Sequence, residues 1–234
     1  MIAVLKREIC AYFTSPIGYV FIAVCMLTSG IWFFASVLAS GKADISPVFQ
    51  FMFFVLMIFV PVLTMRLMSE EKRQKADQLL LTAPISLAGL VIAKFLSAYA
   101  VFLLGVSVLP IYGIVLSFFA EVAWITIWGN FAGIALLGGI YVALGLFISS
   151  LTENQMIAAV GSMFLNLTTI LLGAVAAVIP IDFIAEIFKS ISVFDRYMQF
   201  TLGIFTLSNI LFFASIIAVF VFLTGRVIEK RRWS

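Results

Sequence analysis

Residues 66–84 read RLMSEEKRQKADQLLLTAP, a dense charged block set between two long apolar runs. The chain has 14 basic and 11 acidic residues in all, and seven of these 25 lie between Arg66 and Asp77. Outward from the block in both directions the sequence is written for lipid. Hydrophobic residues make up 64% of the chain and charged ones 11%, against roughly a quarter charged in soluble domains. A soluble fold of that composition would expose large apolar patches, so the composition predicts an integral membrane protein.

Uncharged runs cover 9–41, 45–65, 95–120, 122–152, 154–181 and 197–225. Crossing roughly 30 Å of hydrocarbon takes about 20 apolar residues in a helix, and the shortest run has 21. The fold class expected is therefore all-α, with six transmembrane helices in one transmembrane domain, 1–234. Six crossings put both ends of the chain on one side. With the termini inside, 11 of the 14 Lys and Arg residues are cytoplasmic, and Lys42, Lys189 and Arg196 lie outside. The positive-inside rule requires that asymmetry and excludes the opposite orientation.

The apolar positions of residues 1–15 (Ile2, Leu5, Ile9, Tyr12, Phe13) recur at helical spacing, with Lys6, Arg7 and Glu8 on another side. This predicts a helix lying in the inner interface, its basic face toward anionic headgroups. The same residues also fit the start of a long tilted first span, although Pro16 and Gly18 favour a break. In the charged block, Ser69 is expected to cap a cytoplasmic helix of three or four turns that ends before Pro84. Glu71 and Lys75 are spaced to pair along it. Lys94 is expected to snorkel to the headgroups from the start of the third span, and Pro61 to kink the second.

Gly129, Gly133, Gly138, Gly139 and Gly145 in the fourth span allow close helix approach, within the chain or across a dimer. Asn166 and Thr169, at depth in the fifth span, suit either helix–helix hydrogen bonding or the lining of a pathway. Between Pro180 and Thr206 the sequence is too long for a turn and too apolar for a solvated loop. It is expected to form short re-entrant helices on the outer side.

Much chemistry is excluded. There is no histidine, which removes Ser–His and Cys–His catalysis and the commonest metal ligand, so no catalytic and no metal site is expected. Cys10 and Cys25 do not make a disulfide framework. Gly41-Lys42 is followed by Ala43, so no phosphate-cradling GxxxxGK[ST] loop exists. Every Asp and Glu falls in an expected loop or interface, which argues against ion-gradient coupling and against an intramembrane hydrolase. Energy for uphill transport would have to come from another subunit. The modest net charge of +3 reflects topology and gives no reason to expect nucleic acid.

Five segments in order carry a family likeness: KREICAYFTSPIGYVF (6–21), MSEEKRQKADQLLLTAPISLAGLVIAK (68–94), GLFISSLTENQMIAAV (145–160), FDRYMQFTLGIF (194–205) and GRVIEKRRW (225–233). Together they resemble the membrane subunit of an ABC-2-type transporter, in particular the gliding-motility-type permease branch. The resemblance implies that residues 1–15 form an elbow helix and that 66–84 form a coupling helix seated in a groove of a cytoplasmic ABC ATPase. The docking contact then falls on Glu70, Glu71, Lys72, Arg73, Gln74 and Asp77, with Leu79 and Leu80 as apolar anchors. It also implies a second six-span permease around a central pathway, and an exit region at Phe194, Asp195 and Arg196. ATP and magnesium would be held by the partner, with no cofactor on this chain, in a bacterial or archaeal cytoplasmic membrane. Two positions depart from the family pattern: Lys75-Ala76 stand where Gly-Thr is frequent, and Leu202 where a basic residue is common. A pathway rich in Phe, Thr and Ser without a charged ring favours amphipathic or lipid-like cargo over small ions. The rival role is a non-transporting membrane scaffold for an ATPase.

Overall fold

A computed structural model describes residues 2–41, 44–73, 87–176, 186, 191–204 and 206–232. The described secondary structure is helical. In chain order the helices are α1 (Ile2–Thr14), α2 (Pro16–Phe33), α3 (Ser46–Thr64), α4 (Arg66–Arg73), α5 (Leu87–Val106), α6 (Val108–Ser117), α7 (Trp124–Leu151), α8 (Gln155–Ala176), α9 (Val193–Thr201) and α10 (Leu207–Arg232). A π turn, Phe34–Leu38, extends α2. Among the described residues, six helical stretches are long and apolar enough to cross a membrane: Pro16–Leu38, Ser46–Arg73, Leu87–Ser117, Trp124–Leu151, Gln155–Gly173 and Leu207–Lys230. Their number matches the uncharged runs; their limits depart from them, since Ser46–Arg73 runs on into the charged block, Leu87–Ser117 includes Lys94 and Leu207–Lys230 starts well after 197.

Breaks between helices fall where the backbone loses a donor or meets a steric conflict. Pro16 occupies the first position of α2, where its missing N–H costs nothing. Pro110 cannot donate to Val106, and the third span is divided at Ser107, between α5 and α6. Pro61 lies inside α3, and the helix interrupts one turn later, at Met65, before resuming as α4. The second span therefore runs straight into the charged block through one broken turn.

The centre of the bundle is α3 and α7; α2, α8 and α10 are the most exposed spans. α7 packs against α3, α5, α8, α9 and α10. Its glycines make this possible. A methyl at Gly138 would overlap the Phe102 ring, and one at Gly145 would overlap the Thr64 side chain. Gly133 similarly faces Phe200, and Gly139 faces Ile217. The small residues of the fourth span thus serve packing within the chain. Asn130, on the same helix, is fully buried, and neither of its amide atoms has a hydrogen-bond partner among the described residues.

Pro61 has a second consequence. Lacking an N–H, it leaves the Met57 carbonyl without its helical donor, and Asn166 Nδ2 of α8 supplies one at 3.3 Å. Thr169 Oγ1 donates to the Asn166 carbonyl at 2.6 Å. The Asn166 side chain thus makes a helix-to-helix hydrogen bond through its nitrogen, while its Oδ1 is buried without a partner among the described residues.

Beyond the bundle on the side opposite the chain ends lies α9. Ser192 caps it, its hydroxyl accepting from the Asp195 N–H at 3.2 Å. Its apolar face, with Val193, Tyr197 and Phe200, is buried against α3, α7 and α8. Most of 177–190 lies outside the described residues, so only the second half of the 180–206 segment, expected to be re-entrant, is described.

Candidate functional site

The start of the charged block, α4, is held from three directions on the side of the bundle that carries both chain ends. Lys94, on the second turn of α5, is 1% exposed. Its ammonium donates to the Leu67 carbonyl at 2.6 Å and pairs with Glu71 Oε1 at 2.9 Å and Glu8 Oε1 at 3.3 Å. Arg7 joins the same two carboxylates, at 2.6 Å from Glu8 and 2.9 Å from Glu71. The Glu8 hydrogen bond is the main cause that holds the Arg7 guanidinium above its usual pKa. Two cations and two anions thus form one network that ties α1, α4 and α5 together.

Its energetics differ from those of a surface pair. Removing an ammonium from water costs several kcal/mol, and only well-placed partners repay that cost. Lys94 has two carboxylates and a carbonyl. This corrects the expectation that Lys94 snorkels to the headgroups: its side chain turns into the protein, because Glu8 and Glu71 offer it more than lipid phosphates would. Lys75, the expected partner of Glu71, lies outside the described residues; among those described, Glu71 pairs with Arg7 and Lys94.

A second set of bonds fastens α4 to the end of α7. Starting a new helix at Arg66 leaves its first N–H groups without helical acceptors. Ser149 Oγ accepts from the Met68 N–H at 3.0 Å and the Ser69 N–H at 3.1 Å. The same hydroxyl donates to the Met65 carbonyl at 3.0 Å. A residue 80 positions away in the chain therefore caps α4. Lys72, also buried, donates to the Ser150 carbonyl in the last turn of α7, where a cation complements the helix dipole. Ser69 is not a cap. It sits inside α4, its hydroxyl donating back to the Met65 carbonyl, because the helix starts three residues earlier than the sequence signals imply.

Two further contacts complete the junction. Arg66 forks onto Glu70, with distances of 2.6 and 2.8 Å. Tyr12 of α1, buried, donates to the Leu63 carbonyl of α3 at 3.0 Å, and burial pushes its phenol pKa well above the ordinary value. Lys6 and Arg73 are exposed. Gln74, Asp77, Leu79 and Leu80 lie outside the described residues. The structure thus brings Arg7, Glu8, Glu71 and Lys72 into one junction and adds Lys94, Ser149, Ser150 and Tyr12. The sequence offered only the adjacency of Ser149-Ser150 to an inner loop as a signal for the serines.

At the opposite end, α9 makes its own attachments. Tyr197 donates to the Phe49 carbonyl at 2.8 Å, and the Phe194 ring meets Phe53 edge-on at 5.1 Å. Arg196 donates to Asn209 Oδ1 at 2.8 Å and lies over the Phe212 ring at 4.2 Å, which ties α9 to α10. Asn209 in turn donates to Gln199 at 2.7 Å. Phe194 and Arg196 therefore act first as anchors of this segment. Among the described residues no cluster of three or more potential metal ligands occurs.

Residues 39–227 match the family model described as ABC-2 family transporter protein. The chain belongs to the ABC-2 transporter family. The matched region takes in all but the first of the six candidate spans, together with α4 and α9. No curated protein matches the chain. Membership and the six apolar helices make this ABC-2 protein a multi-pass membrane component of a transporter.

Proposed function

We propose that this ABC-2 protein is the permease subunit of an ATP-driven exporter, of the gliding-motility-type branch. In this reading the whole chain, 1–234, acts as one transmembrane domain in a bacterial or archaeal cytoplasmic membrane, with both termini cytoplasmic. A separate ABC ATPase binds ATP and magnesium and docks on residues 69–82. A second six-span subunit, identical or homologous, completes the pathway. The observation that carries the proposal is the way α4 is fastened: the start of the charged block is bonded to α1 and α5 through Lys94, Glu8 and Arg7, and to α7 through Ser149 and Lys72. A flexible solvated loop needs no such bonds. A lever does, because load applied to the block then reaches three helices at once.

ATP binding closes the partner dimer and pulls the block; α1, α5 and the inner end of α7 follow, and the bundles rock apart. The pathway side is the face where α2, α3 and α8 adjoin. There Phe54, Ile58 and Val62 of α3 lie exposed one turn apart, beside exposed apolar residues of α2 and α8. In this scheme Asn166 and Thr169 brace that wall from behind.

The test separates docking from internal bracing. Glu71 belongs to the buried network, so its reversal would perturb the fold; Arg73 is exposed and carries no such role. Arg73→Glu is expected to lower the stimulation of the ATPase by this subunit at least several-fold with membrane insertion unchanged. Unaltered stimulation in Arg73→Glu combined with Asp77→Lys would refute docking at this block.

A further inference from the structure

Between the start of α5 and the end of α10 lies a groove of about 480 Å³, inside the roughly 300–1,000 Å³ range of small-molecule sites. Its walls are apolar: Ala88, Val91 and Ile92 on one side, Ala218, Val221 and Gly225 on the other. It opens on the perimeter of the bundle, where Ile92 and Phe222 are exposed, on the side that carries both chain ends. The groove ends at a charged rim. Arg226 lies over the Phe222 ring at 4.9 Å and is held by Glu229 at 2.7 Å, both groups still largely accessible, and Lys230 is exposed one turn beyond Arg226. Arg231 and Arg232 follow in the sequence.

From this pairing of an apolar trough with a cationic end we infer that the groove is a binding site for an anionic phospholipid. One acyl chain lies along α5 and α10, and the phosphate lies against Arg226 and Lys230. The medium and the charge decide the occupant. Both walls belong to spans long and apolar enough to cross a membrane, so what enters laterally is a lipid chain. In hydrocarbon, chain burial has little driving force of its own, so shape and headgroup charge select which lipid stays. A basic residue near the surface of an anionic membrane contributes on the order of 1 kcal/mol, about fivefold in occupancy. Gly225 lines the trough, and a methyl group there would meet nothing within 4 Å.

That open space supplies the decisive variant. Gly225→Leu adds a side chain at a lining position where a Cβ meets no neighbour, and replaces a poor helix former with a good one. The full chain in mild detergent is titrated with phosphatidylglycerol or phosphatidylcholine while native mass spectrometry counts retained lipid. The wild type is expected to hold one phosphatidylglycerol about fivefold more strongly than phosphatidylcholine. Gly225→Leu should lower retention of both at least several-fold, because the added side chain takes space that the acyl chain would occupy. Arg226→Gln combined with Lys230→Gln should keep phosphatidylcholine retention and abolish the preference. Inorganic phosphate and glycerol phosphate should not compete. Retention unchanged by Gly225→Leu would overturn the site; so would a preference that survives Arg226→Gln combined with Lys230→Gln, or displacement by phosphate alone, which would mark a headgroup-only surface. A melting temperature equal to wild type shows that each variant is folded. The inference does not depend on transport or on an ATPase, and the assay measures neither.

Discussion

Replacing Lys94 with methionine tests the junction most sharply. The substitution keeps length and apolar stem but removes the ammonium that lies 2.9 Å from Glu71 and 3.3 Å from Glu8. Removing one partner of a buried ion pair costs about 3–5 kcal/mol, since the other charge is left uncompensated. Here Arg7 still serves both carboxylates, and Glu8 and Glu71 keep side-chain exposures of 13% and 18%. The expected loss is therefore smaller, about 2–3 kcal/mol. For a chain of this size that lowers the melting temperature by roughly 5–10 °C. Cys25, buried in α2, provides the assay: in a Cys10→Ser background, a thiol-reactive fluorophore reports its exposure on heating. Adding Arg7→Gln, Glu8→Gln and Glu71→Gln to Lys94→Met should recover most of the loss, because no charge of the network is then left unpaired. A Lys94→Met protein as stable as wild type, with no gain from the added substitutions, would refute the network.

Other variants probe the remaining contacts. Asn166→Leu strips the Met57 carbonyl of its donor, whereas Pro61→Ala restores a helical one. The two should couple by about 0.6–1.7 kcal/mol in a double-mutant cycle, read by the same melting assay. Additive effects would mean that Asn166 does not compensate the proline. Ser149→Ala leaves the Met68 and Ser69 N–H groups and the Met65 carbonyl without that hydroxyl. It should cost about 1–3 kcal/mol, measured as the midpoint of chemical denaturation. Gly138→Val should cost roughly 1–3 kcal/mol by overpacking against Phe102 and be partly rescued by Phe102→Ala, checked by yield and melting of the purified protein.

The spans were legible because length and hydropathy are local properties; each uncharged run could be matched to hydrocarbon thickness without knowing its neighbours. The helix break at Pro16 was legible for the same reason, whereas the division of the third span before Pro110 was not foreseen. What escaped were partners brought together by the tertiary fold. Lys94 looks like a snorkelling residue when only its own helix is considered, and Glu8 is 86 positions away. Ser69 carries a cap signature, but the donors at the start of α4 are satisfied by Ser149, 80 positions away, and the helix can begin sooner. Asn166 was ambiguous until Pro61 was seen to free the carbonyl beside it. The charged block was read as a surface for a partner. Its first turns prove to be bonded mainly within the chain, which leaves Arg73 as the exposed charge among the described residues of α4.

The central claim is that a separate ATPase grips the block. A photoreactive amino acid placed at Arg73 in the tagged full chain, crosslinked in intact membranes before gentle extraction, tests it directly. The account predicts a crosslinked ABC ATPase, with crosslinking lost when the reactive group is moved to an exposed lipid-facing position such as Phe164. A chain that transports with no ATPase crosslinked at position 73 would contradict it.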